Sequence, residues 1–223
     1  MKTTITAITL ASIAGAAAAG TSGLEITELW AGLSGEDGTA DWIEVTWNGV
    51  GTFDTGSIFY DDSSADINAG GQLDSFILSS GQSAIFLLDS EPSDELYSNA
   101  IEEFLAIWGN VANVGYTNGG GGLGQGADSA NLLDAAGNIL ASLAYASSGN
   151  PATIEQVNGV VRESVAGENG AYASAEFFND NDAFGSGIFF GSIVGSPGFV
   201  VPAPAGAALL GLGGLAAARR RRA

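Results

Sequence analysis

The chain has no cysteine and no histidine, and it has almost no positive charge. Without cysteine there is no disulfide, thiolate nucleophile or Cys-type metal site, so stability must come from packing. Without histidine, His-based catalytic triads, imidazole metal sites and a histidine general base are excluded. Of the 6 basic residues, Lys2 stands near the start and Arg219, Arg220, Arg221 and Arg222 close the chain; Arg162 is the sole cation between them. All the acidic residues lie from Glu25 to Asp182, so this stretch sets 25 carboxylates against one arginine, a formal charge of −24. Such a surface repels nucleic acid, anionic lipid and acidic polysaccharide. It attracts cations, or it keeps the protein soluble in salty water, where self-repulsion is screened.

Charge is also missing from two apolar stretches at the ends. Behind Lys2, Ile5 to Ala19 forms an apolar run that finishes in the small residues Ala17-Ala18-Ala19. This is the pattern of a secretory signal peptide, with cleavage expected between Ala19 and Gly20; an uncleaved N-terminal anchor is the alternative. From Phe199 to Ala218 no residue is charged. A helix of about 20 residues spans roughly the 30 Å hydrocarbon core of a bilayer, and four arginines then stay on the cytoplasmic side. A tail anchor, or a buried Gly/Ala helix with a basic end, would share these features.

Val201-Pro202-Ala203-Pro204-Ala205, the Ala/Leu/Gly-rich segment and Arg219 to Arg222 together resemble a PEP-CTERM sorting signal of the Val-Pro-Ala-Pro-Ala variety, with Ala203 where the eponymous motif has Glu. The resemblance implies transient insertion in the inner membrane through the C-terminal helix and recognition by an exosortase-type membrane protease. It further implies cleavage near the proline motif and delivery to the cell surface or an extracellular matrix. The expected organisation is a signal peptide at 1–19, a folded domain at 20–200 and a sorting tail at 201–223.

About 180 residues between the termini suggest one domain, and their patterning is mainly β. Leu24 to Trp30 and Asp41 to Trp47 alternate apolar and polar residues, the period of a strand; Trp42 and Glu44 share one face, Ile43, Val45 and Trp47 the other. Ile58-Phe59-Tyr60 forms a short strand, and Leu73 to Leu78 with Ala84 to Leu88 reads as a hairpin through Ser79-Ser80-Gly81-Gln82. Ser98 to Gly109 is the one helical segment, with Ser98 as N-cap, Ile101, Phe104, Leu105 and Trp108 as its apolar stripe, Glu102 and Glu103 toward solvent and Gly109 as stop. A short strand follows within Val111 to Tyr116. Gly119 to Gly126 is a glycine run without the Lys or the long helix of a phosphate cradle, so it reads as a flexible loop. A hairpin joins Ala130 to Leu133 with Ile139 to Tyr145, and Ile154 to Val161 and Phe184 to Val194 hold short strands.

The order of these pieces resembles a lamin-tail-type domain. The resemblance is carried by Leu24 to Trp30, Asp41-Trp42-Ile43-Glu44, Ile58 to Asp62, Leu78 to Gln82, the hairpin from Gly124 to Tyr145, Ile154-Glu155 and Ser196-Pro197-Gly198. It implies an immunoglobulin-like antiparallel β-sandwich with one short helix, flanked by terminal apolar targeting helices. The acidic stretch from Gly149 to Asn181 departs from the family pattern, and the family supplies no general catalytic set.

Two acidic clusters have the oxygen chemistry of Ca²⁺ sites: Asp61, Asp62 and Asp66, and Asp180 and Asp182 with Asn179 and Asn181. The second begins like an EF-hand loop, but its twelfth position is Gly191, so the bidentate carboxylate is missing. Solvated loops are the better account of both clusters. A pair of carboxylates at glycosidase spacing would arise by chance in so acidic a chain. Trp30, Trp47 and Tyr172 are aromatics that could stack on sugars, whereas Trp42 and Trp108 belong to the core. The expectation is a non-enzymatic exported protein without a cofactor. Its partners are the export machinery, the sorting protease and possible extracellular polysaccharide or surface proteins, and the alternative is a Ca²⁺- or carbohydrate-binding adhesion domain.

Overall fold

A computed structural model describes residues 23–32, 39–92, 96–148, 151–179 and 188–199. The signal-peptide residues with Ala19 and Gly20, the tail from Val201 to Arg222, and Asp180 and Asp182 lie outside the described residues. The strands are β1 (Leu24–Trp30), β2 (Trp42–Trp47), β3 (Thr52–Asp54), β4 (Phe59–Asp61), β5 (Gly71–Gln72), β6 (Ile77–Ser79) and β7 (Gln82–Leu87). After the helix α1 (Ala100–Trp108) come β8 (Val114–Tyr116), β9 (Asp128–Leu133), β10 (Ile139–Tyr145), β11 (Ile154–Val157) and β12 (Val160–Glu163). The last are β13 (Tyr172–Ala173), β14 (Phe177–Asn179), β15 (Ile188–Gly191) and β16 (Val194–Gly195). The protein is mainly β, as its patterning implies.

A six-stranded sheet runs in the order β12-β11-β1-β2-β7-β8, and a four-stranded sheet in the order β10-β9-β4-β5. Alternation, with a β-bulge between Ile26 and Glu28 that puts Ile26 and Leu29 on the same side, sends Ile26, Leu29, Ile43, Val45, Ala84 and Phe86 from the first sheet into one core with Tyr60, Ala130, Leu132 and Leu143 from the second. The opposite side of the larger sheet is also apolar. Trp30, Trp42, Ile85 and Leu87 pack there against Ala100, Phe104, Ile107 and Trp108 of α1 and against Ile193. Trp42 meets Phe104 and Trp108 edge-on at 5.8 and 6.0 Å between ring centres, the arrangement that aromatic quadrupoles favour. The central strands therefore lie between two cores, in a stack of sheet, sheet and helix.

This double burial alters several expectations. Trp30 is buried beneath α1 and is not available to a sugar. Trp47 is stacked on Phe53 at 5.0 Å, and Tyr172, although partly exposed, donates its hydroxyl to the Trp108 carbonyl at 2.8 Å. The Ser79–Gln82 turn forms, but its flanks do not pair with each other: β6 pairs with β3 and β7 with β2, so the chain changes sheets at that point. β8 runs parallel to β7, a departure from a wholly antiparallel arrangement that α1 makes possible by carrying the chain back to the same edge.

The helix begins one residue later than its pattern suggests. Asn99 is the N-cap, its side-chain oxygen accepting from Glu102 N at 2.9 Å, while the Glu102 carboxylate accepts from Ser98 N at 3.0 Å. That reciprocal exchange is a capping-box arrangement. The buried face is Ala100, Glu103, Phe104, Ile107 and Trp108, with Ile101 and Leu105 at its margins, so Glu103 turns inward and not to solvent. Truncating Phe104 to alanine should therefore cost about 3–5 kcal/mol of unfolding free energy in urea titrations, and Ile101→Ala clearly less. Equal losses would mean that the helix docks on the face centred at Ile101.

Candidate functional site: a buried row of glutamates

Besides Glu103 of α1, three carboxylates of the larger sheet are buried on the side of the second core. Glu28 pairs across the sheet with Glu44 on one side and with Glu155 on the other, so residues from β2, β1 and β11 form one row. The row faces the helix side of the sheet, and its members are only 1%, 2% and 2% exposed for Glu28, Glu44 and Glu155. Directly opposed like charges on one sheet face are destabilising, and a buried charge is costly unless paired or hydrogen-bonded. Each member is held differently, and among the described residues Glu155 Oε2 is left without a hydrogen-bond partner.

Glu155 takes the one arginine. Its Oε1 accepts from Arg162 Nε at 2.8 Å and from Asn169 Nδ2 at 3.0 Å, while Arg162 also reaches Glu168 at 2.9 Å. Glu28 is held by hydroxyls and an amide: Oε1 accepts from Thr153 Oγ1 and from Ser196 N at 2.8 Å, and Oε2 from Ser196 Oγ at 2.9 Å. Glu44 accepts from Thr27 Oγ1 at 2.5 Å and from Gly198 N at 2.6 Å. The chain passes so close above the row that a Cβ at Gly195 would lie 2.8 Å from Thr153 Cγ2, 2.8 Å from Trp108 Cη2 and 2.9 Å from Glu28 Oε1. Glycine is required there.

Burial raises the Glu28 carboxyl to about 7, against the pull of its Thr153 and Ser196 donors. Burial, then the neighbouring Glu28, pushes Glu44 up to about 8. With no cation on either among the described residues, the pair is still partly protonated at neutral pH, which fits a site that offers hydroxyls able to donate or accept.

The acids singled out from sequence do other work. Asp61 is buried, and its Oδ2 accepts from Ser64 Oγ at 2.5 Å and Asp66 N at 2.7 Å; Asp62 accepts from Ser64 N and Asp66 from Asn68 N. Each closes a turn of its own loop. Among the described residues, no group of three or more Asp, Glu, His or Cys side chains is placed to hold a metal ion. The glycine run is pinned and not freely flexible: Gly120 O accepts from Asp62 N, Leu123 N donates to Asp41 and Gly124 N to Asp128. Carboxylates already hold amides that a phosphate would need. A hollow of about 340 Å³ opens beside it, lined by Thr39, Asp41, Leu88, Asp89, Glu91 and Gly122 among others.

The signal in the sequence that points to the row is the alternation of β2: Glu44 shares a face with Trp42, and a carboxylate on the face of a core tryptophan must itself be buried. No protein family, curated protein or solved structure matches the chain.

The pH dependence follows in sign from the raised carboxyls. An unfolded glutamate releases its proton near 4.5, so between about 4.5 and about 8 the folded chain holds protons that the unfolded chain has lost. Stability is full below that interval and falls as pH rises through it. Asp66 and Asp134, held low by Asn68 and Asn138, act in the opposite sense, and their stabilisation is lost as pH falls below the ordinary Asp range. The melting temperature should therefore peak in mildly acidic buffer and decline toward alkaline pH, and Glu44→Gln should flatten the decline. A melting temperature that climbs from acidic to alkaline buffer would contradict the assignment.

Proposed function

We propose that this chain is an exported, non-enzymatic structural or interaction module, delivered to the cell surface or extracellular matrix by its C-terminal tail and released by an exosortase-type protease. The observation that supports it most is the position of the anchored turn at Ser196–Phe199. The domain grips its own chain through Glu28 and Glu44, and the proline motif begins only a few residues further on, so the cargo and the tail have a defined junction.

The same reading takes the fold as an immunoglobulin-like sandwich of the lamin-tail type. The two sheets around a shared core and the central Trp42-Ile43-Glu44 strand support it, while the parallel β8 edge is an addition to that pattern.

A Ca²⁺-binding adhesion role is the second reading; Asp41, Asp89 and Glu91 line the hollow named above, although they are not grouped closely enough to hold a metal ion as they stand. Its lining has no aromatic platform for a sugar. If it binds Ca²⁺, about 10 mM of the ion, at or above the affinity range of extracellular sites, should raise the melting temperature. An unchanged melting temperature removes this reading.

Sorting is tested by fractionating cells and weighing the exported chain intact. The expected product begins near Gly20 and lacks Arg219 to Arg222. A chain of full C-terminal mass retained in the inner membrane would count against it.

A further inference from the structure

The last described turn of the chain is fastened by the glutamate row. Phe199 N donates to Ser196 O at 2.8 Å and Gly198 has φ of +78°, so Ser196-Pro197-Gly198-Phe199 has the Pro-Gly signature of a type II turn. The turn points two further amides downward: Ser196 N to Glu28 and Gly198 N to Glu44. Upstream, the two-residue β16 pairs with β13, and Ile193 N donates to Ser174 Oγ. Downstream, Phe199 rests against Gly170 and is half exposed. Val194 is further tied by its amide to Pro151 O and by its carbonyl to Thr153 N, whereas Gly198 and Phe199 are exposed; beyond Ser196 few ties remain, and such chain segments open at lower free energy than the core.

The geometry points to a proton-controlled latch: Glu28 and Glu44 hold the Ser196–Phe199 turn while one of them is protonated, and losing that proton leaves two buried charges side by side, which the turn relieves by opening and freeing the root of the tail behind it. Its consequence for processing rests on reading residues 201–223 as a cleavable sorting tail.

The surroundings offer the second negative charge no relief. From β11 comes Glu155, itself opposite Glu28, with Arg162 of β12 engaged by Glu155 and Glu168. From β13 comes Tyr172, whose phenol is raised by burial and then by Glu28. The β7 residue opposite Glu44 is Ile85, and α1 brings Trp108 close to Gly195 above Glu28 and turns a further buried carboxyl, Glu103, toward the same layer. Ser196 to Phe199 carries no charge. Two ionised carboxylates here would repel each other in a water-poor site, and the turn is the movable cover whose opening admits solvent.

Glu44→Gln holds the neutral state without breaking the site, because its amide can donate to Thr27 Oγ1 and its carbonyl can accept from Gly198 N. Glu28→Gln is the second variant, with Ser196 Oγ available as acceptor.

The test is amide exchange by NMR on the full chain, divided by the intrinsic base-catalysed rate. In the wild type, opening at Ser196 and Gly198 should grow by about tenfold per pH unit for each proton released, with both amides exchanging faster than those of Phe86 and Leu132. Either Gln variant should reduce that slope. Turn amides that exchange in step with the core at every pH, or a slope unchanged in both variants, would overturn the latch. Intact mass of exported chains separates the two ideas: wild-type chains that open locally yet keep their tails overturn the sorting reading and leave the latch standing.

Discussion

Burying both faces of one sheet is the constraint on which the rest depends. β1, β2 and β7 carry large apolar side chains on each side, so Ile43 and Val45 enter one core while Trp42 and Ile85 enter the other. Any polar residue alternating into the second core must be satisfied without water. Glu28, Glu44 and Glu155 are such residues, and with Arg162 the single arginine among the described residues their negative charge is handled by three different means: an ion pair, hydroxyl and amide donors, and a retained proton. Removing one partner from such a group costs more than the group itself contributes, because a bare charge is left in place.

The same scarcity of cations shapes the surface. Aspartates act as short-range acceptors that fasten loops to themselves. Asp54 accepts from Gly56 N and Ser75 Oγ, Asp74 from Tyr116 N, and Asp134 from Ala136 N and Asn138 N. These contacts need no counterion, since the side-chain oxygen replaces a backbone acceptor within a turn. An acidic chain gains local order in this way where a chain rich in lysine would form ion pairs. The remaining repulsion is spread over the surface, where dissolved salt screens it.

Much of the fold was legible in the residues. The strand at Leu24–Trp30, the split of Trp42 and Glu44 from Ile43 and Val45, the hairpin of β9 and β10 and the existence of one helix all follow from period and turn chemistry. Partner choice was not legible. The turn at Gly81 has the chemistry of a hairpin, yet β6 and β7 find other partners, because local turn geometry does not decide which distant edge gains more by pairing. The inward Glu103 and the buried Trp30 were misjudged for a common reason: a third layer over the larger sheet cannot be read from strands patterned for a two-layer sandwich. The glutamate row depends on register across β2, β1 and β11, which brings together residues more than a hundred positions apart.

Whether a proton resides in that row at neutral pH can be observed directly. Side-chain carboxyl carbons of Glu28 and Glu44, followed by ¹³C NMR across a pH titration and assigned with the two Gln variants, report each ionisation. The expected result is that the pair is still partly protonated at neutral pH and loses its last proton only in alkaline buffer. Both carboxyls titrating together near the ordinary 4.5 of a solvated glutamate would contradict it.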